Sequence, residues 1–305
     1  MRGTSNLWAV LGALAARFLG AVLLLAAYAK AIDPQGFAAA IRDLVPLPPA
    51  LAAATAFGVV AFEAGLGSVL VSGRRDARIL AVTTVTFVAF AGLVAWEIVR
   101  PEGPGTSCGC FGRLVERTPW QALSEDVGFV ALAGVAWVGR GARPGRLRWW
   151  LPLLAGGASA AFAACAPWLP LDDHVTALAP GVPVEATRLD QIVPELKTGR
   201  HPVLLLDRAD DATRTEVPHL NERLKLPGGA LSVWGVADDD RALATAFTFA
   251  AGPAFEVRGA PPAMLRRLYR TLPRSALIDH GRVAATWTGF PPDATLDALT
   301  RGESP

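Results

Sequence analysis

Charge is scarce in this sequence. Only 18% of its 305 residues are Asp, Glu, Lys or Arg, against about a quarter in a soluble globular domain. An ordinary cytosolic protein is therefore excluded. Basic tracts are missing as well. The net charge is +2 and no Lys/Arg run is interleaved with aromatics, so nothing marks a nucleic-acid partner. Cysteine is rarer still. Three cysteines cannot staple a disulfide scaffold. What remains is apolar: 52% hydrophobic residues and a mean hydropathy of +0.35 point to an integral membrane protein.

Apolar runs of membrane-spanning length, about 20 residues, fall at 7–29, 50–71, 79–99, 119–139 and 149–169. The expected organisation is a transmembrane four-helix domain over 1–145, a fifth transmembrane helix over 146–170, a linker over 171–182 and a soluble domain over 183–305. The first run is read as a retained helix and not a signal peptide, because Arg17 interrupts its apolar centre. Trp8, Trp96, Trp120, Trp137, Trp149, Trp150 and Trp168 fall near the proposed ends, where amphipathic rings favour the membrane interface. Arg2, Arg74, Arg75, Arg78, Arg140, Arg143, Arg146 and Arg148 lie on one side of these spans. The positive-inside rule makes that side cytoplasmic. The N-terminus is then cytoplasmic, and the 100–118 loop and the C-terminal domain lie outside.

That loop carries Ser107-Cys108-Gly109-Cys110-Phe111-Gly112. Two thiols one residue apart close only a small, strained ring, and Gly109 supplies the freedom to close it. A strained disulfide is the more oxidising and exchangeable kind, and an extracytoplasmic compartment lets it persist. Cys108 and Cys110 are therefore expected as a redox pair; an inert turn is the alternative. A metal site drawing on Cys108, Cys110, Cys165 and His174 lacks any familiar zinc spacing. Cys165, near the outer end of the fifth helix, is either a resolving thiol or a small buried packing residue. Arg17 and Glu63 are expected to form a buried ion pair between the first two spans, which either locks the bundle or serves proton or quinone chemistry. Lys30, Glu97 and Asp126 lie toward the outer helix ends, as thiolate-poising or proton-relay groups or as snorkelling side chains.

Arg17-Phe18-Leu19-Gly20, Lys30 ahead of Asp33-Pro34, Phe37, Ile41, Leu44-Val45-Pro46-Leu47-Pro48, Glu63-Ala64-Gly65-Leu66-Gly67 and Cys108-Gly109-Cys110-Phe111-Gly112 together resemble the methylamine-utilisation MauE family, which is related to DoxX-like proteins. The resemblance covers about residues 10–140. It implies a compact four-helix membrane core that supports maturation of an extracytoplasmic redox protein, as in methylamine dehydrogenase biogenesis, through disulfide chemistry. No cofactor is assigned from the sequence, a quinone being the one candidate, and the electron acceptor is left open.

The soluble part alternates strands and helices: strands at 203–206, 231–236, 276–279 and 282–287, and helices at 216–225, 240–250 and 293–300, with a hairpin at His280-Gly281. It resembles the thioredoxin fold, with Pro273 where that family keeps a cis-proline. Counting back from Pro218, the family's Cys-x-x-Cys falls on Asp210-Asp211-Ala212-Thr213, so no thiol stands there. The expected class is thus an α-helical membrane protein followed by an α/β thioredoxin-like domain lacking its thiols. Two functions follow: a membrane thiol–disulfide oxidoreductase that docks a client, or a non-catalytic scaffold whose thioredoxin-like domain binds a partner protein.

Overall fold

A computed structural model describes residues 2–99, 118–140, 149–224 and 232–301. The chain forms two compact units, Met1–Leu169 and Pro170–Pro305, each described here by itself.

The first unit is helical: α1 (Arg2–Ile32), α2 (Pro34–Leu44), α3 (Pro49–Val71), α4 (Ala77–Val99), α5 (Pro119–Val138) and α6 (Trp150–Cys165). Among the described residues, four helical segments are long and apolar enough to cross a bilayer: Asn6–Ile32, Pro49–Val71, Ala77–Val99 and Trp150–Trp168. The remaining expected span, 119–139, is α5, 20 residues long. Gln121, Ser124, Glu125 and Asp126 make its first turns polar, which is why it falls outside that set. It nevertheless runs the length of the bundle. Trp137 Nε1 donates to Thr84 Oγ1 of α4 at 3.2 Å, and Phe129 meets Phe87 at 5.2 Å between ring centroids. Arg75, in the α3–α4 turn, donates to the carbonyls of Ala9 and Gly139 at 2.9 and 3.0 Å. That contact gathers the start of α1, the end of α3 and the end of α5 at one end of the unit.

The core of this unit is built from small and branched side chains: Ala15, Ala16, Leu19 and Leu23 of α1 against Leu66 and Leu70 of α3, Phe87 of α4, and Ala133 and Ala136 of α5. Small residues let helix backbones approach closely. Gly20 and Gly67 show this at the α1–α3 crossing, where a Cβ on Gly67 would sit 2.7 Å from the Gly20 carbonyl oxygen. The outward faces are also apolar. Leu7, Leu11, Leu14, Phe18 and Leu25 of α1 are exposed, as are Trp96, Trp120, Trp149 and Trp168 at helix ends. A surface of this kind suits lipid and not water. The unit is a membrane domain.

The second unit is α/β. The segment expected as a linker belongs to it: α7 (Asp172–Val175) and α8 (Val184–Thr187) flank Leu178, which is fully buried in the core. Five strands follow, β1 (Arg200–Leu205), β2 (Trp234–Asp238), β3 (Glu256–Ala260), β4 (Arg274–Asp279) and β5 (Arg282–Thr288), in the sheet order β3-β2-β1-β4-β5. The first three are parallel; β4 and β5 are antiparallel. Helix α9 (Asp211–Leu224) follows β1, α10 (Arg241–Ala251) follows β2, the short α11 (Pro262–Leu265) follows β3, and α12 (Asp293–Thr300) closes the unit. The Leu272–Pro273 bond ahead of β4 is cis. This order and polarity, with a helix after the central strand and a cis-proline before the antiparallel pair, is the thioredoxin arrangement. Strand β3 was not expected from the sequence. Its Glu256-Val-Arg-Gly-Ala run is half polar because it lies at the sheet edge.

Candidate functional site

The membrane unit holds a buried charge cluster. Lys30, in the last turn of α1, donates from Nζ to both oxygens of Glu63 on α3, at 2.9 and 3.0 Å. Lys30 is 4% exposed and Glu63 0%. The ammonium also sits 5.5 Å from the ring centroid of Phe37 on α2 and 5.6 Å from that of Phe90 on α4, within reach of a cation–π attraction. Glu97 of α4 and Asp126 of α5 are likewise buried.

Beside Lys30 lies a cavity of about 230 Å³. Its walls are the α2 stripe Phe37, Ala40, Ile41 and Leu44, with Thr55 and Val59 of α3 and Phe90, Leu93 and Val94 of α4. The α2 residues recur at helical spacing and face one side. Asp33 sets that helix in place by accepting a hydrogen bond from Gly36 N at 2.9 Å, a usual N-cap. An apolar pocket with a few convergent polar groups is the ordinary form of a ligand site.

The pairing differs from the Arg17–Glu63 bridge expected from the sequence. Arg17 is exposed, and its guanidinium lies against the α3–α4 turn, 3.1 Å from where a Cβ on Gly73 would stand. The Gly20–Gly67 crossing fixes the register of the two antiparallel helices and puts Arg17 near the end of α3. Side chains on a helix also tilt toward its N-terminus. Lys30 therefore reaches back along α1, while Glu63 reaches back along α3 in the opposite sense, and the two meet. Arg17 tilts away from Glu63.

Cys165 is a free, exposed thiol, not the buried packing residue that an Ala-rich helix suggested. Cys108 and Cys110 lie outside the described residues. Phe90 and Thr55 were not singled out in the sequence, and Phe37 and Ile41 entered only through the family resemblance; the 37/40/41/44 stripe is the signal that would have found this wall.

In the α/β unit, the position of the thioredoxin thiols is the N-terminus of α9. Asp210 Oδ2 accepts hydrogen bonds there from Thr213 N at 3.0 Å and from Thr213 Oγ1 at 3.1 Å. These bonds hold the Asp210 carboxyl below the usual carboxylate range, the Thr213 amide being the main cause. A side-chain hydrogen bond thus joins the first and last positions of the motif. A shallow cavity of about 440 Å³ lies between α9 and the β5–α12 segment, bounded by Ala212, His219, Pro273, Phe290 and Leu296. No group of three or more His, Cys, Asp or Glu able to hold a metal occurs among the described residues.

Residues 8–139 match the family model described as methylamine utilisation protein MauE. The match covers most of the membrane unit and less than half of the chain, and the membrane unit is thus similar to the MauE family. The matched stretch runs from α1 through α5 and contains Lys30, Glu63, Glu97 and Asp126, and also Cys108 and Cys110. Helix α6 and the α/β unit lie beyond this MauE match. Comparison with curated proteins finds no match. One solved structure, of a thiol:disulfide interchange protein DsbE from Chlorobium tepidum, is similar at 25% identity and a TM-score of 0.30, over 35% of this chain and 79% of that one. The thioredoxin assignment of the α/β unit rests on its own strand order.

Proposed function

We propose that this chain is a membrane-embedded maturation factor for extracytoplasmic redox proteins, working by thiol–disulfide exchange through Cys108 and Cys110. One observation carries the reading. The α/β unit has the thioredoxin arrangement, yet Asp210 and Thr213 stand where its thiols would be, and all three cysteines of the chain precede residue 166. Exchange chemistry therefore falls to the membrane unit, and docking of a client protein to the α/β unit.

In the forward step a client thiolate attacks one sulfur of the Cys108–Cys110 disulfide, and that S–S bond breaks. A second client thiolate then displaces the mixed disulfide. The client gains a disulfide, and Cys108 and Cys110 take up two electrons and two protons as thiols. A membrane quinone re-forms the pair by accepting both electrons and both protons as the quinol. Cys165, exposed near the end of α6, is a candidate resolving thiol. Five crossings, with the Arg74–Arg78 turn inside, put the N-terminus in the cytoplasm and the thiol loop and C-terminal unit outside. The Arg75 contacts, which gather the ends of α1, α3 and α5 at one end of the unit, support the up-and-down order of these helices; the side rests on the basic residues.

A second reading keeps the chain as a non-catalytic scaffold, favoured by the same Asp210–Thr213 pair. Acid-trapped membranes labelled with a thiol mass tag separate the two. Wild type should gain two labels on mild reduction, and Cys108→Ser should gain none from this pair and leave the client unoxidised. Freely labelled thiols in an oxidising compartment, or full client maturation in Cys108→Ser, would leave the scaffold reading.

A further inference from the structure

We propose that the cavity beside the Lys30–Glu63 pair holds the carbonyl-bearing ring of a membrane quinone, with the isoprenoid tail left in the bilayer. The assignment rests on the exchange reading only for the choice of a redox-active lipid. The site itself is argued from its walls, its size and its charge.

The walls are apolar on three sides, and the rim residues Val45 and Leu93 are exposed. In a membrane unit that opening faces lipid, so the occupant arrives from the bilayer. The α2 stripe Phe37, Ala40, Ile41 and Leu44 is only half-buried, because it faces the cavity and not another helix. A volume of about 230 Å³ lies under the roughly 300–1,000 Å³ that encloses a drug-sized ligand. It takes a ring head and leaves a long chain outside.

The polar lining comes from Lys30, Thr55 and Glu97. Lys30 is already paired with Glu63, and Glu97 brings a second carboxyl. The ammonium is already matched by the Glu63 carboxylate, so it is no spare countercharge for an anionic head such as a fatty acid carboxylate or a phospholipid phosphate. A neutral head that can both accept and donate suits this set. A quinone carbonyl accepts from an ammonium, and the hydroxyl of the corresponding quinol donates to a carboxylate. Phe37 and Phe90, which flank the ammonium, offer aromatic faces to a flat ring.

The test is binding of decyl-ubiquinone to the purified full chain in quinone-free phosphatidylcholine nanodiscs, with uptake by empty discs subtracted. One saturable site per chain is expected, with no displacement by excess oleate. Ala40→Phe fills the cavity from α2 and should weaken binding at least tenfold. Lys30→Met combined with Glu63→Gln removes the charged pair without orphaning one partner, and should weaken it similarly. A folded Ala40→Phe protein, judged by its melting temperature, that binds as wild type would overturn the site. Equal displacement by oleate would overturn it too, making the cavity a lipid-chain slot. If Ala40→Phe does not fold, Leu93→Trp fills the same space from α4 and is read in the same way. The Cys108→Ser, Cys110→Ser double variant should bind decyl-ubiquinone unchanged. Unchanged binding there, in a protein that oxidises no client whatever its cysteines, keeps the quinone site and rejects the exchange reading alone.

Discussion

Among the described residues Glu63 is the most deeply buried charge of the membrane unit, at 0% exposure, and its partner Lys30 is 4% exposed. Removing Lys30 leaves Glu63 without the ion pair that offsets its desolvation. Breaking a buried pair typically costs about 3–5 kcal/mol, whereas replacing both members with apolar residues is often neutral. Lys30→Met should therefore lower the unfolding free energy of the chain in detergent micelles by about 3–5 kcal/mol, and Lys30→Met with Glu63→Leu should recover all but about 1 kcal/mol of the wild-type value. Arg17→Leu supplies the contrast. Its guanidinium is exposed against the α3–α4 turn, so its loss should cost under about 1 kcal/mol, as for a surface charge. The assay is reversible unfolding of each variant in one detergent, analysed as a double-mutant cycle. A double variant no more stable than the worse single, or an Arg17→Leu loss exceeding that of Lys30→Met, would refute the reasoning.

At the α1–α3 crossing, Gly67→Leu forces a side chain into the Gly20 backbone and should cost at least about 2 kcal/mol by overpacking, read as lower accumulation in membranes and a lower melting temperature. In the α/β unit, Arg274 is 2% exposed and donates to the carbonyls of Leu178 and Leu268, to Thr176 and to Asp173. Burial lowers its pKa, yet a guanidinium stays cationic throughout the accessible range. Arg274→Met strands two buried carbonyls at about 1–3 kcal/mol each and should lower the melting temperature of this unit. Asp210 and Asp279 both titrate below the usual carboxylate range, Asp210 through the Thr213 amide and Asp279 through its hydrogen bond with His280. A depressed folded-state pKa contributes stability that is complete above the unfolded value, about 4, and is lost as pH falls through the lower folded value. Both side chains are partly exposed, so the effect is small. A melting-temperature series from pH 6 down to about 2 should fall below pH 4, and Asp210→Asn should flatten that slope.

Much of the fold was legible because each unit announces itself through one strong periodicity. Spans of about 20 apolar residues locate α1, α3, α4 and α6, and the hairpin at His280-Gly281 is read from two short apolar runs around a turn. Both turn residues adopt positive φ, 45° and 76°, as a tight two-residue connection requires. The α2 helix and β3 were harder to read. Helix α2 is 11 residues long, too short to span, and its meaning lies in the cavity it covers. Strand β3 alternates too weakly because one of its edges pairs with nothing in the sheet. The 171–182 stretch reads as a linker because it lies where the apolar runs end and charged residues become frequent. Its hold on the sheet runs through Leu178 and Arg274, almost a hundred residues apart, and no local pattern announces a contact at that separation.

The charge pairing failed for a different reason, which bears on how membrane sites are read. Position along two apolar runs does not say which of their charges meet. The Gly20–Gly67 contact is the better ruler, because two glycines at a close crossing fix the register between helices. On that ruler Glu63 stands roughly level with Leu24, and the N-terminal tilt of helical side chains then selects Lys30, which leans back toward it, over Arg17, which leans away. The residues that carry the family resemblance fall into place with it. Gly20 and Gly67 set the crossing, Lys30 and Glu63 meet beyond it, and Asp33 starts the helix whose Phe37 and Ile41 wall the cavity. These scattered motif residues thus form two structural devices: a helix crossing, and the charged, apolar-walled cavity to which it leads.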